Sequence, residues 1–334
     1  MTLAVVCPDK FRHSLSAAAA AAALARGLRT AGIEEVIEFP VADGGEGTLD
    51  AVLAAAGGSR RTVRVTGPLG DPVDAQYGVL PDGTAVVEMA QASGLTLSTE
   101  RDALRASTRG TGELIAAACR AGARKVLVGV GGSASTDGGL AAVEALAWSL
   151  GAVEVSVACD VSTYFLDAAR EFGPQKGATP AQVELLSRRL VTIADEYARR
   201  TGVDVTTFPR AGAAGGLAGG LAAIGAQLES GFSVVAAVTG LEEVIARADL
   251  VVTGEGCTDD STFAGKAVAG VLELAAEYRV ARSVVISGQI TASARIELTA
   301  RGVTALALTD HAGVDGDSFR DAAALAEAVA TTIG

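Results

Sequence analysis

The sequence is poor in the residues that mark several common kinds of site. Its four cysteines (Cys7, Cys119, Cys159 and Cys257) lie far apart, with no paired spacing suited to a metal or a disulfide framework. Three stand in or beside apolar runs and read as reduced, buried thiols; Cys257 alone sits in a glycine-rich loop. His13 is one of only two histidines and, isolated in a loop, is not taken as a base. No segment reaches the roughly 18 uninterrupted apolar residues that span a bilayer. The first residues show neither the basic region nor the cleavage site of a signal peptide. Basic excess is missing too: 27 Lys and Arg against 39 Asp and Glu leave a net charge of −12. That argues against a nucleic-acid or anionic-membrane partner, which needs a basic face. A small anion asks only for a local cluster of N–H groups, Arg or Lys. The expectation is a soluble cytoplasmic protein acting on small molecules.

What is present is an alternation of short apolar runs with helical patterns. Residues 3–7 read as a buried strand, Ser14 or Ser16 caps an alanine-rich helix over about 16–30, and residues 36–39 return as a strand. The C-terminal part repeats this grammar: strands at 249–253, 283–287 and 303–308, with helices over 265–279, 292–301 and 318–332. Such a pattern implies a parallel sheet covered on both faces. The middle differs, with short strands at 62–66, 75–79 and 84–88 and a Pro81-Asp82-Gly83 turn that predicts an antiparallel patch. Over residues 180–199, Val183, Leu186, Leu190, Ile193 and Tyr197 form one apolar helical stripe. The fold class expected is α/β, with a parallel-sheet domain from residues 1–60 plus 240–334 and an inserted mixed α/β domain over 61–239.

Chemistry is concentrated in loops at strand ends. After a strand at 125–130 comes Gly131-Gly132-Ser133-Ala134-Ser135-Thr136-Asp137-Gly138-Gly139, then a helix. Free backbone N–H groups at a helix start suit phosphate, although the spacing matches neither the dinucleotide fingerprint nor a P-loop. A plain tight turn is the competing reading. A second loop, residues 253–266, carries Glu255, Asp259, Asp260 and Lys266. Its acids suit Mg²⁺ and its lysine a phosphate oxygen, against ordinary helix capping as the alternative. Lys10 and Arg12, followed by Ser14, make a local cationic loop after the first strand, and an apolar run over 155–159 ends in Asp160. Most distinctive is Ala42-Asp43-Gly44-Gly45-Glu46-Gly47-Thr48, which places two acids three apart among three glycines. Ligands of open α/β sheets bind at the carboxyl edge, where these loops lie.

Several blocks, in order along most of the chain, resemble the bacterial two-domain glycerate kinases. They include Pro8-Asp9-Lys10-Phe11-Arg12, Ala42-Asp43-Gly44-Gly45-Glu46-Gly47-Thr48, Gly131-Gly132-Ser133-Ala134, Cys159-Asp160-Val161, Phe172-Gly-Pro-Gln-Lys-Gly177 and Thr253-Gly-Glu-Gly256. The resemblance implies a flavodoxin-like domain built from both chain ends with a second domain inserted. It also implies ATP- and Mg²⁺-dependent phosphorylation of D-glycerate to a phosphoglycerate. Under it, Gly131, Gly132, Ser133, Ser135 and Lys266 hold nucleotide phosphates, while Lys10, Arg12 and Ser14 hold the acceptor. Asp43, Glu46 and Asp160 are the catalytic acids, and Asp160, Glu255 and Asp259 the metal candidates. Asp43 is preferred over Glu46 for the chemistry, because Glu46 has a competing role in capping the following helix.

The chain departs from the family pattern in three places, one of them the 253–266 loop, where Ser261 and Ala264 stand in place of the common Gln and His and Cys257 in place of Arg or Ser. Gly151-Ala152 leads straight into the strand at 153–158, where relatives carry a longer stretch, and residues 162–167 replace a glycine-rich loop. A kinase for another polyhydroxy acceptor (a sugar acid, sugar or cyclitol) is therefore the second reading, and a catalytically silent nucleotide-binding protein the third. ATP and the hydroxylated acceptor are the expected partners, with a homodimer as the assembly considered.

Overall fold

In the computed structural model, residues 2–11, 14–263, 266–310, 327 and 330–333 are described. They form two compact units: one from residues 1–42, 50–56 and 235–334, the other from residues 43–49 and 57–234.

The first unit holds a five-stranded parallel sheet. Across it run Thr304–Ala307, Arg282–Ser287, Leu250–Gly254, Leu3–Pro8 and Glu35–Glu38. In order of appearance this is 2-1-3-4-5, the flavodoxin-like winding, with its switch point between Leu3–Pro8 and Leu250–Gly254. Both faces of the strands are apolar because both are covered. Val284 and Ile286 join Ala4, Val6 and Val252 against Ala20, Leu24 and Leu28 of the helix Ala17–Thr30. Val285, pointing the other way, packs with Val268, Leu272 and Leu298. The expected helix over 318–332 lies largely outside the described residues.

The second unit is built on a six-stranded mixed sheet whose spatial order follows the chain: Ser59–Thr66, Pro72–Val79, Ala85–Glu88, Lys125–Gly129, Glu154–Cys159 and Gln227–Ser230. The first three strands pair antiparallel, and from Ala85–Glu88 onward each neighbour is parallel. The first two strands begin three residues earlier than their apolar cores suggest, because polar residues such as Arg60 and Arg61 continue the ladder between them. The core of this sheet sets Val87, Val128 and Val157 against Leu114, Ile115 and Ala118 of the helix Arg109–Arg120. The long helix Pro180–Thr201 buries its whole predicted stripe, Val183, Leu186, Leu190, Ile193 and Tyr197. Four strand ends (Glu88, Gly129, Cys159 and Ser230) share the carboxyl edge of the parallel part.

Candidate active site

The acid-glycine loop belongs to the second unit and is clamped along that carboxyl edge. The Gly131 N–H donates to the Gly44 carbonyl at 3.0 Å. This contact needs bare backbone on several sides. A Cβ on Gly131 would lie 2.4 Å from the Gly45 Cα, and one on Gly44, at φ +90°, 2.4 Å from the Ala158 carbonyl oxygen. A Cβ on Gly231 would sit 1.7 Å from the Asp43 carbonyl oxygen. The glycines therefore let this loop nest among three strand ends where any side chain would hold it off.

Nesting fixes the two acids differently. Asp43 is buried, and its Oδ1 accepts the Gly45 N–H at 3.1 Å. Glu46 is exposed and leans across Gly132: a Cβ there would meet its Oε1 at 2.5 Å. Glu88 also serves the helix start that follows this loop. The Glu88 carboxylate accepts the N–H groups of Gly47 (3.1 Å) and Leu49 (3.1 Å) at the start of the helix Thr48–Ala56. The acid comes from the end of a neighbouring strand, so no local sequence signal announces it.

Beyond Gly131 the serine-rich turn is held from inside. Ser133 is buried; its Oγ accepts the Ser135 N–H at 3.2 Å and stands 3.2 Å from the Ser135 Oγ. Ser135 is fully buried and faces Ser133, so of the two serines only Ser133 lines the adjoining cavity. Asp137 closes the turn by accepting from Thr108 N, Thr108 Oγ1 and Gly139 N, while burial pushes its carboxyl above the ordinary range. Thr136 Oγ1 is a buried oxygen with no hydrogen-bond partner among the described residues. The cavity, of about 130 Å³, is bounded by Gly131, Gly132, Ser133, Asp160, Gln175 and Lys176. Asp160 thus shares one hollow with the glycine turn, as its place at a strand end predicts. Cys159 beside it is inert: burial, then the Asp160 charge, pushes its thiol up to about 12.

The remaining candidates lie in the first unit, around its switch point. The Asp9 N–H donates to the Gly254 carbonyl, and the Lys10 N–H to the Asp9 Oδ1, which brings the first loop to the 254–266 loop. Glu255 accepts from Thr262 Oγ1 at 2.7 Å, and its own N–H is taken by Ser287 Oγ. Asp259 accepts from the Ser261 hydroxyl (2.5 Å) and N–H, which hold its carboxyl below the usual range. Lys266 Nζ donates to the Ser261 Oγ at 2.7 Å, immediately before the helix Ala267–Glu277. Ser14 is not at a helix start. Its N–H and hydroxyl both turn back to the Phe11 carbonyl, and Ser16 caps Ala17–Thr30 by accepting from Ala19 N. Arg12 lies outside the described residues. Cys257 is exposed, as its loop position suggests.

Among the described residues no cluster of three His, Cys, Asp or Glu is placed to hold a metal. The donor set instead fits Mg²⁺ arriving with phosphates, which needs only one or two carboxylates from the protein. Asp160 in one unit and Glu255 and Asp259 in the other are acids of that kind. Sequence reading did not single out Glu88 or Lys176. Lys176 lies within the Phe172–Gly177 block, and a lysine's burial is decided by tertiary packing that its neighbours do not encode.

Known proteins resemble this chain over most of its length. The sequence model of the Glycerate kinase family matches residues 4–151 and 147–334, the two matches meeting just before the strand Glu154–Cys159. Glycerate 2-kinase of Escherichia coli (strain K12) is 40% identical over 312 residues, 82% of each chain. Glycerate kinase of Bacillus subtilis (strain 168) is 39% identical over 314 residues, 83% of this chain and 82% of that one. A crystal structure from Salmonella typhimurium LT2, assigned as a glycerate kinase 2, superposes with a TM-score of 0.84 at 35% identity, covering 99% of this chain and 97% of the other. These matches, to phosphotransferases that act on an alcohol group, extend over most of the chain and include its two-part α/β fold: the chain belongs to the glycerate kinase family.

Proposed function

We propose that this chain transfers the γ-phosphoryl group of ATP to a hydroxyl of D-glycerate, giving a phosphoglycerate. The observation that carries the reading is the nesting of the Asp43–Gly47 loop on Gly131, which sets two acids beside a glycine-serine turn and an open cavity. Phosphoryl transfer needs donors for the phosphates, a cation, and an acid to orient or deprotonate the acceptor hydroxyl. The Gly131–Ser133 turn, with Lys266, supplies phosphate donors. Asp43, rigid and buried, orients the hydroxyl, with Glu46 at its side. Asp160, Glu255 and Asp259 are the carboxylates available to a Mg²⁺ that enters with the nucleotide, where it neutralises phosphate charge. Lys10 and Arg12 take the acceptor's carboxylate; Ser14, turned back on Phe11, serves through its turn and not through a helix start.

The same reading places the chain in the cytoplasm, free of nucleic acid. No helix among the described residues is long and apolar enough to cross a membrane. A homodimer is the assembly proposed. The second reading, a kinase for another sugar acid, sugar or cyclitol, is favoured by the split of the family match in two at residues 147–151. ATP consumption by the purified protein, measured on D-glycerate and on a panel of those compounds, separates the two. Strong turnover on glycerate sinks the second; turnover on a panel member alone sinks the first.

A further inference from the structure

Lys176 is the only lysine or arginine buried among the described residues, at 2% exposure. It stands at the end of the one-turn helix Pro174–Lys176, and its Nζ donates to the Ser135 carbonyl (2.5 Å) and the Ser133 Oγ (3.5 Å). Both acceptors are neutral. No carboxylate among the described residues forms an ion pair with it, and Asp137, behind the turn, spends its oxygens on Thr108 and Gly139. An ammonium group has three N–H donors and is costly to keep charged away from water without a counter-charge. Accordingly, burial pushes Lys176 down to about 7. Yet it is not sealed in: it lines the same cavity as Gly131, Gly132, Ser133 and Asp160.

We propose that Lys176 is a phosphate-binding residue of this site, its buried ammonium completing the Gly131–Ser133 turn as the counter-charge for a phosphoryl group seated in that cavity. The proposal rests on the kinase reading for the source of the phosphoryl group, the nucleotide. The lysine also braces the turn through Ser133 and Ser135, so one side chain shapes the anion site and supplies its charge. The charged groups around it are Asp160 across the cavity, Asp137 behind the turn, and Glu100, Arg101 and Asp102 around the narrow hollow on its other side. An arriving phosphate makes the protonated form the favoured one, so binding near pH 8 draws a proton onto the protein.

The test is calorimetric titration of full-length protein with MgATP, without acceptor, in two buffers of different ionisation heat. The variants are Lys176→Met and Lys176→Arg. The wild type is expected to bind with proton uptake. Lys176→Met should bind at least about tenfold more weakly, with the uptake gone and the denaturation midpoint not lowered; Lys176→Arg should recover part of the affinity. Equal affinity and equal uptake in wild type and Lys176→Met overturn the proposal, as does weakened binding with uptake unchanged. A wild type that binds MgATP with uptake but leaves glycerate untouched keeps Lys176 and rejects the acceptor. Glycerate turnover with Lys176→Met at wild-type kcat/KM for ATP does the reverse.

Discussion

Gly131 and Gly44, 87 positions apart in the chain, meet backbone to backbone, the amide of one on the carbonyl of the other at 3.0 Å. That single bond joins the acid-bearing loop to the glycine-serine turn. It exists because neither residue carries a Cβ. Gly131→Ala would drive a methyl group into the Gly45 backbone, forcing the loops apart. A displacement of about 1 Å at a transfer site costs on the order of 10²-fold in rate, so kcat should fall by about that factor. Circular dichroism should show the secondary structure intact. Wild-type kcat in this variant would mean that the nesting is packing alone.

The two acids of the nested loop should be unequal. Asp43 is fixed by the Gly45 amide and hidden from water, whereas Glu46 is exposed. Asp43→Asn keeps the oxygen that accepts from Gly45 and removes the base, and should lower kcat by about 10²–10⁴-fold with an unchanged thermal midpoint. Glu46→Gln should fall by less. Steady-state kinetics of both variants at saturating ATP decide the order, and a reversed ranking would hand the base to Glu46.

Glu88 is a structural acid. Its carboxylate takes two backbone N–H groups at a buried helix start. Glu88→Gln leaves one of them facing an amide NH₂, and should cost about 1–3 kcal/mol of unfolding free energy in urea titration. A loss near zero would show that these amides find other acceptors.

The buried ammonium of Lys176 should write itself into the pH dependence of stability. Its ordinary value of 10.5 is lowered to about 7 in the fold, so between those values the unfolded chain binds the extra proton. Stability should therefore rise with pH across that window, and the full penalty of the buried charge is felt below about 7. In Lys176→Met that portion of the rise should vanish. Urea midpoints of both proteins at about pH 7 and about pH 10 measure it, and parallel changes in the two would contradict the burial of a titrating amine.

Much of this was legible in the sequence where a local pattern decides the outcome. The runs at 3–7, 249–253 and 283–287 became the central strands because apolar residues on both faces leave a segment only a covered sheet. Asp160 was legible because an apolar run that ends in an acid puts that acid at a strand's carboxyl edge. Capping was half legible: Ser14 and Ser16 are chemically equal candidates, and only the turn from Phe11 to Leu15 decides for Ser16. Illegible were the contacts made by distant residues. Glu88 reaches the helix start from 39 to 41 positions away, and Lys176 reaches under Ser135 across 41. Neither is encoded near the residue it serves.

The central claim is that this site moves phosphate from ATP to glycerate. The most direct measurement follows ADP and phosphoglycerate together in one reaction of purified protein, MgATP and D-glycerate, with EDTA and glycerate-free controls. The account predicts ADP and phosphoglycerate in equal amounts, both abolished by EDTA and by omitting glycerate. ADP formed without phosphoglycerate, or no ADP from a protein that binds MgATP, would contradict it.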